Sequence, residues 1–297
     1  MKVGIIGCGA IGLLAASYLS GYHDVTLYAR RKQQMEELNN EGFTRLGLNG
    51  EVEHIFVEVK LLEQLEYEEV VIICVKQYNL PEVIEQIKQN ESMPIIFLQN
   101  GMGHEQLARS LANPLYIGIT DHGARIINSF QVAQTGAGQV LLGCIQGNKA
   151  IFAKISAELN NSKFPVVIED NWRAVQKMKL VANAVINPIT ALFRLENGAI
   201  LKNIELQKMA KELCFEAANV LKLDPVEAWK YCTTIIANTS TNRSSMLQDI
   251  DAGRKTEIHA ILGYLISQGV GKYPAMQFLN RSIKVLENES DGKQATQ

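Results

Sequence analysis

The segment Gly7-Cys8-Gly9-Ala10-Ile11-Gly12 leaves this chain few ways to fold. It follows the β-branched run Lys2–Ile6 directly and opens a helix-period segment over residues 11–20. The spacing G-x-G-x-x-G therefore falls where a strand turns into a helix. There the first glycine permits the tight turn, and the second lets backbone N–H groups approach an anion. The third lets the helix pack closely on the strand. The helix N-terminus is then aimed at a pyrophosphate. A glycine-rich turn without a ligand is the bland alternative. Against it stands a second strand-like run at the expected distance, residues 24–30.

The alternation continues. Strand-like runs stand at residues 70–76, 94–100, 114–120, 139–143 and 166–169, with 47–59 reading as a hairpin or an irregular insertion. Helix-period segments at 80–89, 105–111 and 149–159 lie between them. This pattern predicts a mostly parallel sheet with crossover helices. After Asn171 the chain is helix-period throughout, with long amphipathic stretches at 174–193, 204–221, 226–238 and 256–267. The expected fold class is α/β: a Rossmann-type dinucleotide-binding domain over residues 1–170, followed by an all-α domain over 171–297. Asn171-Trp172 is the expected hinge, and the polar residues 290–297 are expected to fray.

Of the 297 residues 47% are hydrophobic, enough for two cores. A net charge of −2 offers no basic surface for nucleic acid and no charged block for a membrane. No apolar run approaches the roughly 20 residues that span a bilayer. An export signal would have to remove the glycine loop, so a cytoplasmic protein is expected. The five cysteines are scattered and never spaced C-x-x-C, which points to free thiols rather than a disulfide framework or a metal site; no metal is expected.

The end of the second strand reads the ribose of a bound dinucleotide. A carboxylate there would accept from a 2′-hydroxyl and repel a 2′-phosphate. Here stands Tyr28-Ala29-Arg30-Arg31-Lys32, three cations and no acid. That composition favours NADP, since arginine suits bidentate contact with phosphate. A solvated helix start would show the same charges.

In the second half, Lys179, Asn183 and Asn187 are the polar residues of an otherwise apolar helix. At i, i+4 and i+8 they share one face. Burying them without partners would cost several kcal/mol. Either a polar ligand or an interdomain hydrogen-bond network must satisfy them. Farther on, Ser245 and Gln248 fit a capping box, and Glu257 opens an apolar helix, where a glutamate also suits the helix dipole.

Taken together, these segments resemble the ketopantoate reductase (2-dehydropantoate 2-reductase) family. The resemblance runs from Gly7–Gly12 through Leu98-Gln99-Asn100-Gly101-Met102-Gly103 and Lys179–Pro188 to Ser244–Ile250 and Thr256-Glu257-Ile258. It implies NADPH-dependent reduction of a small 2-keto acid, ketopantoate, in pantothenate biosynthesis. Lys179 would be the general acid and Glu257 the carboxylate that organises the site. Asn183, Asn187 and Ser245 would hold the substrate, and Asn100 would stand near both nicotinamide and substrate. Lys76 and Arg30 would bind the cofactor, with Arg31 as an extra cation. The site would form between the two domains, and a homodimer is left open. Two positions depart from the family's pattern: Pro274-Ala275-Met276 after Gly269, and Asp121 where threonine is common. A paralogous reductase of another branched 2-keto acid, or a non-catalytic NADPH sensor, would share much of this sequence.

Overall fold

The computed structural model describes residues 1–294, with side chains through Asn288. Contacts divide it into two units. The first holds Met1–Gln99 and His104–Arg173; the second holds Asn100–Gly103 and the chain from Ala174 onward.

In chain order the first unit comprises β1 (Lys2–Ile6), α1 (Ala10–Leu19), β2 (Asp24–Ala29), α2 (Lys32–Glu41), β3 (Phe43–Leu46), β4 (Val52–Ile55) and β5 (Glu58–Leu61). Then come β6 (Val70–Ile73), α3 (Leu80–Ile87), β7 (Ile95–Phe97), α4 (His104–Ala108) and β8 (Leu115–Thr120). The unit closes with β9 (Gly123–Asn128), β10 (Gln131–Gly136), β11 (Val140–Gln146), α5 (Lys149–Leu159) and β12 (Val166–Ile168). Its main sheet has the order β12-β11-β8-β7-β6-β1-β2-β5, parallel at every pair except β8 with β11. Val3, Ile5, Val70, Val71 and Ile73 are completely buried. Parallel strands covered on both faces need such continuous apolar runs, which is why the sequence showed them.

A second sheet, β4-β3-β10-β9, packs on α1. Arg45 lies over the Tyr18 ring and donates to its hydroxyl at 3.1 Å, while Tyr18 donates to Gln134 Oε1 at 2.6 Å. Of the two readings of residues 47–59, a hairpin or an irregular insertion, the hairpin holds for part of the stretch. Residues 43–55 form the β3–β4 hairpin, and β5 returns to the main sheet as its edge strand beside β2. β9 and β10 were not foreseen, because exposed and half-buried residues dominate them. Helix α2 buries only Leu38 and so shows no apolar stripe.

The second unit is helical: α6 (Trp172–Phe193, its first two residues belonging to the first unit), α7 (Ala199–Lys202), α8 (Ile204–Leu221), α9 (Pro225–Asn238) and α10 (Ser245–Asp251). A π-helical turn (His259–Gly263), α11 (Tyr264–Gln268) and α12 (Pro274–Gln294) complete it. Val181, Val185 and Ile189 of α6 meet Leu213 and Ala217 of α8 and Ile236 of α9 in its core. The helical stretch expected over 256–267 is present from Ile258, as the π turn running directly into α11. Trp172, read as part of a hinge, is packed in the first unit against Gly143, where an added Cβ would come within 2.1 Å of its ring. Backbone helix continues to Gln294; residues 295–297 and the side chains past Asn288, on which the expected fraying of 290–297 bears, lie outside the described residues.

Candidate functional site

In the first unit the glycine loop has the shape its spacing requires. Gly7 takes φ +111°, and its N–H donates to the Tyr28 carbonyl at 3.0 Å, tying the loop to β2. A Cβ on Gly12 would fall 1.9 Å from the Gly7 carbonyl oxygen, so only glycine lets α1 sit this close to the loop. At Gly9, exposed at the N-cap of α1, an added Cβ would meet nothing within 4 Å. No side chain caps the helix, and its first turn holds no acidic residue. Ala10 and Ile11 supply that first turn. An open space over uncapped amides fits a dinucleotide pyrophosphate.

A cleft of about 270 Å³ adjoins this cradle, lined by Gly7, Cys8 and Gly9, by Arg30 and Arg31, and by Cys74 and Lys76. Three cations, Arg30, Arg31 and Lys76, share that lining with a single carboxylate, Glu82. Burial pushes the Cys8 and Cys74 thiols up to about 12. Both therefore stay neutral at working pH and put no negative charge beside a bound anion. Gln34 Nε2 reaches the Cys8 carbonyl at 3.4 Å, and Arg30 Nη1 donates to Asn79 Oδ1 at 2.7 Å. Asn79, Gln34 and Cys74 were missed by the sequence reading. None belongs to a spacing motif, and only the fold brings them to the loop.

In the second unit, Lys179 and Asn183 are half-buried on α6 and Asn187 is 8% exposed. Between Leu180 and Ala191 every residue except Asn183 is buried, so this polar row interrupts a continuous core surface. Asn100, which lies within the stretch 1–170, groups with this unit by its contacts. Its Nδ2 donates to Glu257 Oε2 at 3.1 Å. Gly101, at φ +83°, explains how the segment comes so near: a Cβ there would fall 2.5 Å from the Ala260 carbonyl in the π turn. Gln176 Nε2 donates to the Gly101 carbonyl at 3.3 Å, and Met102 enters the helical core. On the other side of the pair, Thr256 N and Oγ1 both donate to Glu287 Oε1, at 2.7 and 2.6 Å. Both flanks of the Asn100–Glu257 pair are thus anchored, and a π turn follows directly, a deviation common at functional sites.

The capping role proposed for Ser245 belongs to its neighbour. Ser244 is the N-cap of α10 and its Oγ accepts from Leu247 N, whereas Ser245 is exposed at the helix start and Gln248 donates to the Arg243 carbonyl. Ser244 Oγ also lies 2.7 Å from Thr190 Oγ1, one turn beyond Asn187. This buried hydroxyl pair fixes Ser245 relative to the polar row of α6. Neither Thr190 nor Ser244 carried a signal that separates it from ordinary core polarity. The two departures from the family pattern take structural roles: Pro274 begins α12, and Asp121 Oδ1 accepts from Gln139 N at 2.5 Å.

The model of the ketopantoate reductase PanE/ApbA family matches residues 3–147, and that of its C-terminal region matches residues 171–286. The chain belongs to the ketopantoate reductase family. A relative named 2-dehydropantoate 2-reductase, from Bacillus subtilis, is 36% identical over 298 residues, 98% of this chain and 99% of its own length. The crystal structure of a probable 2-dehydropantoate 2-reductase from the same organism superimposes with a TM-score of 0.86 at 34% identity, covering 96% of this chain and all of that one. A D-mandelate dehydrogenase solved with NADH and anilino(oxo)acetate shares the fold, with a TM-score of 0.91 at 24% identity over 98% of this chain and all of its own. Ketopantoate reductase family members thus match both the α/β unit and the helical unit from end to end.

Proposed function

We propose that this chain reduces 2-dehydropantoate to pantoate with NADPH, the reaction that feeds pantothenate and coenzyme A synthesis. The observation that carries the reading is the Asn100–Glu257 pair, held from both flanks in the same unit as the Lys179, Asn183 and Asn187 row. Its context is a chain matched along almost its full length by relatives that bear this enzyme's name. The uncapped glycine loop and the arginine pair support a phosphorylated dinucleotide in the first unit.

NADPH, when bound, supplies the hydride. The Lys179 ammonium would donate a proton to the keto oxygen, so that negative charge developing there never has to persist. Glu257 and Asn100 hold each other in a defined orientation and present the remaining carboxylate and amide edges to the substrate. Asn183, Asn187 and Ser245 bind its hydroxyl and carboxylate. Arg30, Arg31 and Lys76 bind the cofactor's phosphates and ribose. In this reading residues 1–170 serve the cofactor and residues 171–297 the substrate, with Asn100 acting on the substrate's side. A cytoplasmic location and homodimeric assembly belong to the same proposal. Among the described residues, no helix is long and apolar enough to cross a membrane.

The test is NADPH oxidation by the purified protein with ketopantoate and with other branched 2-keto acids. A kcat/KM for ketopantoate about 10-fold or more above the rest is expected, the usual worth of a pocket fitted to one side chain. Equal turnover on another branched 2-keto acid would assign the chain to a paralogous reductase. Tight NADPH binding with no turnover on any keto acid would leave a cofactor sensor.

A further inference from the structure

Arg30 is exposed, yet its guanidinium is held in place. Its Nη1 donates to Asn79 Oδ1 at 2.7 Å, across 49 residues of sequence, and both side chains line the cleft beside the glycine loop. Asn79 is the N-cap of α3, a position where an asparagine side chain ordinarily accepts from first-turn amides. Elsewhere in this chain that is what happens. Asn148 accepts from Ala150 N and Ile151 N at the start of α5, and Asn203 accepts from Glu205 N and Leu206 N at the start of α8. At α3 the Asn79 backbone is already helical (φ −97°, ψ −5°) and Pro81 in the first turn has no N–H, so no side-chain cap bond is made and the amide oxygen is left for Arg30.

The chemistry of the acceptor matters. An amide oxygen engages one guanidinium N–H and leaves the others, and the whole positive charge, for an anion. A carboxylate in its place would pair with Arg30 and repel any phosphate brought to it. We propose that Asn79 is a positioning residue that sets the choice between dinucleotides: it holds Arg30 extended and uncompensated, ready for a 2′-phosphate, and so contributes to affinity for NADPH but not for NADH. This inference rests on Arg30 being the reader of that phosphate.

The experiment is direct titration of NADPH and of NADH, by ligand fluorescence, into the wild type, Arg30→Ala, Asn79→Ala, Asn79→Asp and the double variant Arg30→Ala/Asn79→Ala, with a melting curve for each. Asn79→Ala should raise the NADPH Kd by about 3- to 10-fold, the range for one lost hydrogen bond, and leave NADH within about 2-fold. Asn79→Asp keeps the side chain's size and removes no cap bond, so it should fold normally, yet weaken NADPH by about 10-fold or more through like-charge repulsion. In the Arg30→Ala background, loss of Asn79 should cost nothing further, since the pair acts as one. Should Asn79→Ala weaken both cofactors equally, or add its full effect to Arg30→Ala, Asn79 is structural and the inference falls while the Arg30 reading stands. Should Arg30→Ala itself leave the preference for NADPH intact, both fall together. If Asn79→Ala does not fold, the Asn79→Asp titration decides: unchanged discrimination overturns the proposal.

Discussion

Gly12→Ala and Gly9→Ala are a matched pair of perturbations, one methyl each, three residues apart in the same loop. At Gly12 the methyl would stand 1.9 Å from the Gly7 carbonyl oxygen, a contact that must open to at least 3.0 Å. Helix α1 or the loop must therefore retreat by about 1.1 Å, and the obstacle is backbone, which cannot rotate aside as a side chain would. Overpacking of this kind costs about 1–3 kcal/mol, which in a unit of this size lowers Tm by roughly 2–12 °C. Because the amides of the first turn move with the helix, NADPH Kd should also rise by about 10-fold or more. Gly9 has φ −90°, which alanine adopts freely, and open space around it. Gly9→Ala should keep the wild-type Tm and lose only cofactor affinity, because its methyl occupies the space over the amides. Scanning calorimetry and fluorescence titration of both variants separate the two effects. A Gly12→Ala protein with wild-type Tm and wild-type NADPH affinity would refute the close-approach argument, and a Gly9→Ala protein that binds normally would remove the pyrophosphate from the loop.

Lys179→Ala should retain NADPH affinity and lose about 10²- to 10⁴-fold in kcat, the share of a positioned acid; single-turnover hydride transfer within a few-fold of wild type would make the lysine structural. Asn187→Ala should lower kcat/KM with Tm within a few degrees of wild type. A large fall in Tm with activity per folded molecule intact would return the α6 row to a packing network. His104 is buried and stacked on Phe97, and burial lowers its pKa from 6.5 to about 4. Since the folded pKa is depressed, the unfolded chain takes up the proton first. Stability is therefore full above pH 6.5 and lost as pH falls toward 4, by up to about 3 kcal/mol. Urea titrations should show His104→Phe losing less stability than wild type between pH 7 and pH 4.5, and parallel losses would place the acid sensitivity elsewhere.

The parts of this protein legible from sequence are those whose cause is local. The glycine loop is one: Gly7, Gly9 and Gly12 are demanded by a turn, an open approach and a close one, all within six residues. The buried parallel strands and the amphipathic helices α5, α6 and α8 are others, because burial on a fixed face imposes a period that can be counted. Lys179, Asn183 and Asn187 stood out for the same reason, as polar residues against an apolar period. Elements whose stability comes from elsewhere in the chain left no such trace. Helix α2 is almost wholly polar, and the second sheet depends on long-range pairing of β3 with β10 and on the Tyr18–Arg45–Gln134 contacts. Only the tertiary structure brings Asn100 to Glu257 across 157 residues, Arg30 to Asn79 across 49, and Thr190 to Ser244 across 54. A hydrogen bond requires two groups within about 3 Å, and sequence records what each residue can donate or accept but not which partner the fold will carry to it.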